Sequence, residues 1–435
     1  MTFFKVLHSS KKSKARLGEI TTSHGVIKTP AFVPVATKGT LKSLTPSQIQ
    51  DIGVQVSFVN TYHLVTHPGT DIIEKAGGIH EFSKLRYPLM SDSGGFQVFS
   101  LSRRITQNLT QKNADNKRIA DVRGDEQPMV IKIDEDGVTF RSTYDGKVIE
   151  FTPEKSMEYQ RQIGADLIMA FDECTYYPAT YEYAKKAMER THEWLIRCIN
   201  QVKSEKLKVK SEGQYLYGII QGGTFEDLRK ESAQFVVGQD TPGVAIGGVS
   251  VGETKEEMRQ QVEWVSPYLP TDRPVHLLGI GQLDDILDAV VHGIDTFDCV
   301  EATRLARVGI LYQTSAFFQE INSHLAIARP FVLPRPSKIE ESVRTHLLRQ
   351  LTPSKIQMSS TEKELDINKS IYKNNLEPVD ENCHCYTCQN FTKSYLHHLF
   401  KQRELLGYTL ATIHNLSMME RFMEEVRRQI EKDTI

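Results

Sequence analysis

Leu167-Ile168-Met169-Ala170-Phe171-Asp172-Glu173-Cys174 is a run of five apolar residues that stops at two carboxylates and a thiol. The run is too short to bury a helix, and its apolar residues do not alternate with polar ones. It therefore reads as a strand covered on both faces, as in a parallel sheet. Runs of the same kind recur at Ala31–Val35, Val54–Val59, Pro88–Met90, Leu216–Ile220, Val244–Ile246, Val275–Leu278 and Thr296–Val300. Amphipathic stretches separate many of them. Glu154–Ile163 has Thr152 placed as an N-cap and Pro153 at the first helical position. Asp284–His292 is another. Eight buried strands alternating with helices predict an α/β fold, a (β/α)₈ barrel of the TIM type.

Such a barrel carries its chemistry where the strands end. Pro88–Met90 leads into Ser91-Asp92-Ser93-Gly94-Gly95, and Leu167–Phe171 into Asp172-Glu173-Cys174. Leu216–Ile220 ends in Gln221-Gly222-Gly223, Val244–Ile246 in Gly247-Gly248, and Val275–Leu278 in Gly279-Ile280-Gly281. The last run contains Asp298-Cys299. Carboxylates, an amide and glycines are thus predicted to share one rim.

Two polar regions interrupt the pattern, at 103–127 and 313–373, and both read as surface insertions. Met129–Phe151 reads as a meander with turns at Asp134–Gly137 and Tyr144–Gly146. Arg16–Pro30, turning at Thr22–Gly25, reads as a hairpin capping the barrel floor. Leu416, Met419, Phe422, Met423, Val426 and Ile430 mark one face of a C-terminal helix. The expected layout is a catalytic barrel over 1–312 and 411–435, with an insertion at about 103–128. A zinc-binding subdomain over 313–410, carrying a polar segment at about 314–373, is inserted near the C-terminus.

The 435 residues carry 53 Lys and Arg against 55 Asp and Glu, so any nucleic-acid surface must be local. No stretch has the ~20 apolar residues of a membrane span. Met1–Leu7 lacks the basic region and apolar core of a signal peptide. Three of the six cysteines, Cys383, Cys385 and Cys388, crowd into six positions. That pattern suits a metal site in a reducing compartment, the cytoplasm, more than a disulfide framework. Three thiolates and a histidine suit one structural Zn²⁺ with no open coordination position. His384, His397, His398 and His414 are all candidates for the fourth ligand.

Paired carboxylates are the equipment for cleaving a glycosidic bond, one attacking the anomeric carbon and another moving protons. Asp92, Asp172 and Asp298 are the candidates. Asp172 suits ring N–H and exocyclic amine donors of a purine-like base. Gln221 and the Gly248 N–H suit a carbonyl, the bare backbone of Gly94-Gly95 can approach a ligand, and Phe96 offers a stacking face. Arg304 and Arg307 follow Asp298 closely and can hold phosphates or base edges.

These segments resemble one family closely, the tRNA-guanine transglycosylases of the bacterial type. The resemblance rests on Thr29–Val35, Asn60–Leu64, Ser91–Gln97, Phe171–Cys174, Gln221–Gly223, Phe297–Val300 and the cysteine cluster with Thr412–Leu416. It covers nearly the whole chain outside the two insertions. It implies a pentosyltransferase that exchanges guanine at the wobble position of tRNAs with GUN anticodons, those for aspartate, asparagine, histidine and tyrosine. Asp298 would be the covalent nucleophile and Asp92 the proton shuttle. Ser93, Gly94, Gly95, Phe96, Asp172, Cys174, Gln221, Gly248, Val249 and Leu278 would form the base pocket. Gly279, Ile280, Gly281, Gln282, Thr303, Arg304, Leu305, Ala306 and Arg307 would meet the RNA. His414 would complete the zinc site, and Phe391, Tyr395 and His398 would lie in a homodimer contact.

The incoming base implied is 7-aminomethyl-7-deazaguanine, with queuine as the alternative. Glu301-Ala302, Gln282, Val249 and Ser250 depart from the bacterial pattern, Ser250 being similar to the eukaryotic branch, which takes queuine, while Val251 keeps the bacterial one. An ordinary glycosidase and a non-catalytic RNA-binding subunit are the competing readings. The purine-reading groups weigh against the first, and the presence of both Asp92 and Asp298 against the second.

Overall fold

The computed structural model describes residues 2–95, 129–142, 144–204, 213–314 and 364–435. Eight parallel strands form one sheet in sequential order. They are β1 (Ala31–Pro34), β2 (Ser57–Val59), β3 (Leu89–Ser91), β4 (Leu167–Met169), β5 (Tyr215–Ile220), β6 (Gly243–Ile246), β7 (Val275–Leu277) and β8 (Thr296–Cys299). β8 pairs with β1, and a parallel bridge between Val35 and Phe58 joins β1 to β2, so the sheet closes on itself. Each strand falls within one residue of an apolar run, except β2, whose run starts three residues early, and β4, whose run ends two residues late.

Alternation along the strands sorts side chains into two layers. Val33, Phe58, Met90, Met169, Tyr217, Ile219 and Ala245 pack inside the barrel. Phe32, Val59, Ile168, Ile220, Ile246, Leu277 and Phe297 pack outward beneath the helices. The helix Pro153–Ile163 starts as read, with the Thr152 side chain accepting from the Lys155 N–H. The helix Leu283–Val291 follows β7.

The floor is sealed by a three-stranded antiparallel sheet, Phe4–Ser9, Arg16–Thr22 and Gly25–Thr29. The hairpin was expected; the first strand was not. Phe4, Ile20 and Ile27 plug the barrel interior from below. The Arg16 guanidinium donates to Asp295 Oδ1 and Oδ2 at 3.0 and 2.6 Å. The meander forms as Met129–Ile133, Val138–Arg141 and Val148–Phe151.

Two expected boundaries change near the C-terminus. Glu364–Asp366 is a strand paired antiparallel with Ile310–Tyr312, so the polar insertion ends before residue 364 and not at 373. With Leu365 its only apolar residue, that strand had no periodicity to betray it. The last helix runs unbroken from Leu405 to Glu431, so a domain boundary at 411 would cut it. It packs against the helix Glu301–Val308, β1 and the helices of the cysteine region, joining barrel and subdomain. The proposed insertion at 103–128 and Phe96 lie outside the described residues. No helix among the described residues is long and apolar enough to cross a membrane.

Candidate active site and metal centre

The polar strand ends converge on a cavity of about 560 Å³ at the C-terminal rim. Asp92, Ser93, Asp172, Cys174, Gln221, Gly248, Val249, Leu278 and Asp298 all line it. A larger and more open groove of about 790 Å³, between residues 65–71 and the 139–159 region, contains none of the candidate residues.

Asp298 is the third residue of β8 and points into the cavity. Its Oδ1 accepts from the Gly279 N–H at 3.1 Å and lies 3.1 Å from His276 Nε2. Asp92 follows β3. Its Oδ1 accepts from the N–H of Thr61 at 2.7 Å and of Gly94 at 3.2 Å, and its Oδ2 accepts from the Asn60 amide. The two carboxylates thus reach the cavity from different strands, one after β3 and one on β8, and each accepts from a backbone N–H.

Asp172 follows β4 and is buried. It accepts from Ser93 Oγ at 2.9 Å and Gln221 Nε2 at 2.7 Å. Burial pushes its carboxyl up to about 6, against those two hydrogen bonds. With Nε2 committed to Asp172, Gln221 Oε1 is buried without a partner. A buried unpartnered acceptor is costly, and a ligand donor at this point would relieve it. The amide lies flat against the β6 end because Gly248 has no side chain. A Cβ there would sit 2.3 Å from Gln221 Oε1, and φ is +64°, a left-handed conformation.

Arg229, fully buried, organises the same loop. It donates to the carbonyls of Gly223, Gly247 and Gly248 and to Gln261 Oε1, at 2.8, 2.6, 2.8 and 2.6 Å. Glu253 accepts from the N–H groups of Ser250 and Val251. Because a trans peptide points its C=O opposite its N–H, the Val249 carbonyl faces away from Glu253.

The glycine reading needs correction. The N–H groups of Gly94 and Gly95 are committed to Asp92 Oδ1 and Ser93 Oγ, so they shape the carboxylates and do not face a ligand. In the 303–307 segment, Arg304 is exposed and lines the cavity, Leu305 and Arg307 are half-buried, and Thr303 and Ala306 are buried. Buried side chains leave that stretch only one face for RNA. Gly279 and Gln282 are exposed, whereas Ile280 and Gly281 are buried.

The family model for queuine tRNA-ribosyltransferase matches residues 10–435. The chain belongs to this family. A queuine tRNA-ribosyltransferase of Thermoanaerobacter pseudethanolicus is 39% identical over 432 residues, covering 99% of this chain and 94% of the relative. One from Herpetosiphon aurantiacus is 40% identical over 420 residues, covering 97% and 87%. One from Synechococcus elongatus is 39% identical over 430 residues, covering 99% and 91%. The protein is therefore a transferase of a tRNA-modifying family.

In this family member, Cys383, Cys385, Cys388 and His414 bring one ligand atom each to within 4.8 Å of one another. The group could hold a metal ion. His414 Nδ1 is 3.3 Å from Cys388 Sγ and 3.6 Å from Cys385 Sγ. Its Nε2 donates to the Tyr312 carbonyl at 2.9 Å, which leaves Nδ1 as the ligand atom. His397 is turned away, with Nδ1 at 2.7 Å from the Ile367 carbonyl, and His384 is exposed. Spacing could not choose among these histidines because His414 arrives on a separate helix.

A second donor set, His24, His80 and Asp166, sits on the barrel floor. Its two imidazoles stack face to face at 3.5 Å, so their in-plane lone pairs run side by side and do not converge. Asp166 there accepts from the Leu89 N–H and Ser23 Oγ and contacts both imidazoles, a clamp with every partner supplied by protein.

Sequence reasoning missed His276, Arg229 and Glu253. His276 carried a signal: it is the inward-facing polar residue between Val275 and Leu277 in an apolar strand.

Proposed function

We propose that this family member exchanges guanine at the wobble position of GUN-anticodon tRNAs for a 7-deazaguanine, through a covalent intermediate on Asp298. The observation that carries the reading is the convergence of Asp298, Asp92 and the Asp172–Gln221 pair on one cavity. In the first half, an Asp298 oxygen attacks C1′ of the ribose and the C1′–N9 bond breaks. The guanine leaves with that electron pair and gains a proton. In the second half, the incoming base loses its N9 proton, attacks C1′, and Asp298 leaves as a carboxylate. Asp92 moves the proton in each direction. Asp172 accepts from the ring N–H and exocyclic amine, while the Gly248 N–H faces the base carbonyl. A flipped base in a single-stranded loop suits a cavity of this kind.

The orientation of the Val249–Ser250 peptide supports an aminomethyl substituent, since it leaves the Val249 carbonyl as an acceptor. Incubating enzyme and tRNA with labelled guanine, and then with 7-aminomethyl-7-deazaguanine and queuine in competition, tests both halves. Incorporation of guanine with preferential displacement by the aminomethyl base is expected. Preference for queuine would transfer the reading to salvage, and no RNA labelling would sink it.

The Cys383–Cys385–Cys388–His414 group is proposed to hold one structural Zn²⁺. Three thiolates and an imidazole are its preferred donors and leave no open position. Metal analysis should give one equivalent per chain, lost on Cys385→Ala. A homodimer through the cysteine region is also proposed, in a cytoplasmic enzyme. Phe391 and Tyr395 stack at 5.5 Å there, and Tyr386, Tyr395 and His398 are exposed beside them.

A further inference from the structure

The inward positions of β1 to β6 are apolar, but those of β7 and β8 are His276, Thr296 and Asp298. Polar residues inside a barrel must satisfy one another. His276 is fully buried and pairs in register with Thr296. Its Nδ1 lies 2.9 Å from Thr296 Oγ1 and its Nε2 lies 3.1 Å from Asp298 Oδ1. An ionised carboxylate only accepts, so in this pair Nε2 carries a proton and donates to Asp298. The Thr296 hydroxyl beside Nδ1 holds the ring in that orientation. The ring also lies against Phe58, centroids 5.7 Å apart, which limits its rotation.

We infer that His276 is the positioning residue of the nucleophile and selects which oxygen attacks. This rests on the proposed role of Asp298. The His276 and Gly279 donors both engage Oδ1. Oδ2 is therefore the oxygen directed at C1′. In the first half-reaction the C1′–Oδ2 bond forms as C1′–N9 breaks. In the second half, N9 of the incoming base bonds to C1′, C1′–Oδ2 breaks, and the electron pair returns to the carboxylate. The Nε2–H and the Gly279 N–H then stabilise the charge that reappears on that carboxylate, in the manner of donors aimed at a developing anion. Because both donors are present before the substrate arrives, none of this requires reorganisation.

Two amide substitutions separate the donor from the ring that carries it. Gln at position 276 can place an N–H near the Nε2 position, whereas Asn reaches only the Nδ1 level beside Thr296. Neither titrates. Guanine exchange into tRNA should fall about 10- to 100-fold in kcat for His276→Asn, the cost of one lost donor at a developing anion. KM for guanine and for tRNA should stay within about twofold of the parent, because the ring touches neither base nor RNA. His276→Gln should recover most of kcat. The covalent enzyme–RNA adduct, trapped on a denaturing gel, should form at rates in the same order.

Thermal unfolding of both variants gives the structural control. Equal kcat for Gln and Asn variants of equal stability would overturn the donor role, as would full activity in His276→Asn. Asp298→Ala serves as the marker for the underlying reading. If it is inactive while His276→Asn is normal, only the His276 inference fails. If it exchanges guanine normally, the nucleophile assignment falls and this inference with it.

Discussion

The two ends of this barrel hold buried aspartates in opposite conditions. On the floor, Asp295 accepts from Arg16 and from the Val275 N–H, and Asp166 accepts from Ser23, His24 and the Leu89 N–H. On the rim, the hydrogen bonds that Asp298 accepts from the described residues fall on one oxygen, and Asp172 sits beside Gln221 Oε1, unpartnered among the described residues. Both of these floor aspartates draw their partners from protein. The rim leaves the acceptor Gln221 Oε1 to meet a ligand. The same residue type is thus satisfied by protein at one end and, in the proposed reading, used for chemistry at the other, and the difference lies in the partners supplied.

Asp298→Ala is the severest test of the rim. Exchange of labelled guanine should drop by about 10³-fold or more, as when a nucleophile is removed from a machinery that acts as a unit. Its thermal midpoint should hardly change. Retained exchange would break the contrast outright.

Arg16→Met makes the complementary cut on the floor. It leaves Asp295 buried and unpaired, which costs about 3–5 kcal/mol. Denaturant unfolding should show that loss, and the folded fraction should keep the parental KM for guanine. A changed KM with unchanged stability would reverse the assignment of the two ends.

Asp172 gives a pH test in which the two quantities move in opposite senses. Burial raises its carboxyl to about 6, above the ~3.9 of an unfolded chain. The native state therefore holds that proton more tightly, so this group's contribution to stability is fully present below about pH 4 and is lost as pH rises through about 6. In the proposed reading guanine needs the ionised form as acceptor. Its affinity should weaken below about pH 6, towards tenfold per pH unit, in calorimetric titrations at constant ionic strength. Asp172→Asn should bind guanine weakly at all pH values.

The smallest effect is expected at Arg304, exposed at the edge of the rim. Arg304→Ala should raise KM for tRNA several-fold and reduce the salt dependence of binding by about one phosphate contact. Guanine binding without RNA should be unaffected.

Much of this was readable from residues alone. The eight strands announce themselves because a buried parallel strand is a local apolar run, and each run ends in the residues that form the rim. The helix Pro153–Ile163 and the meander were equally local, marked by a cap, a proline and turn residues. The Cys383–Cys388 spacing declared a ligand cluster for the same reason: all three thiols lie on one short segment. The strand Glu364–Asp366 was invisible, since a single apolar residue in a polar stretch has no period to read.

What the sequence could not decide is which atoms face each other across strands. Asp298, Asp172 and Asp92 are separated by scores of residues, and only closure of the sheet brings them to one cavity. The commitment of the Gly94 and Gly95 N–H groups to carboxylate and hydroxyl, the burial of Thr303 and Ala306, and the clamp of Arg229 on the Gly247–Gly248 loop all follow from that closure. So does the pairing of His276 with Asp298, which depends on the β7–β8 register. Residue type and local period determined a barrel with acidic strand ends. Long-range register and burial determined which of those acids are satisfied by protein and which are left for a substrate, because a hydrogen bond depends on separation in space and not along the chain.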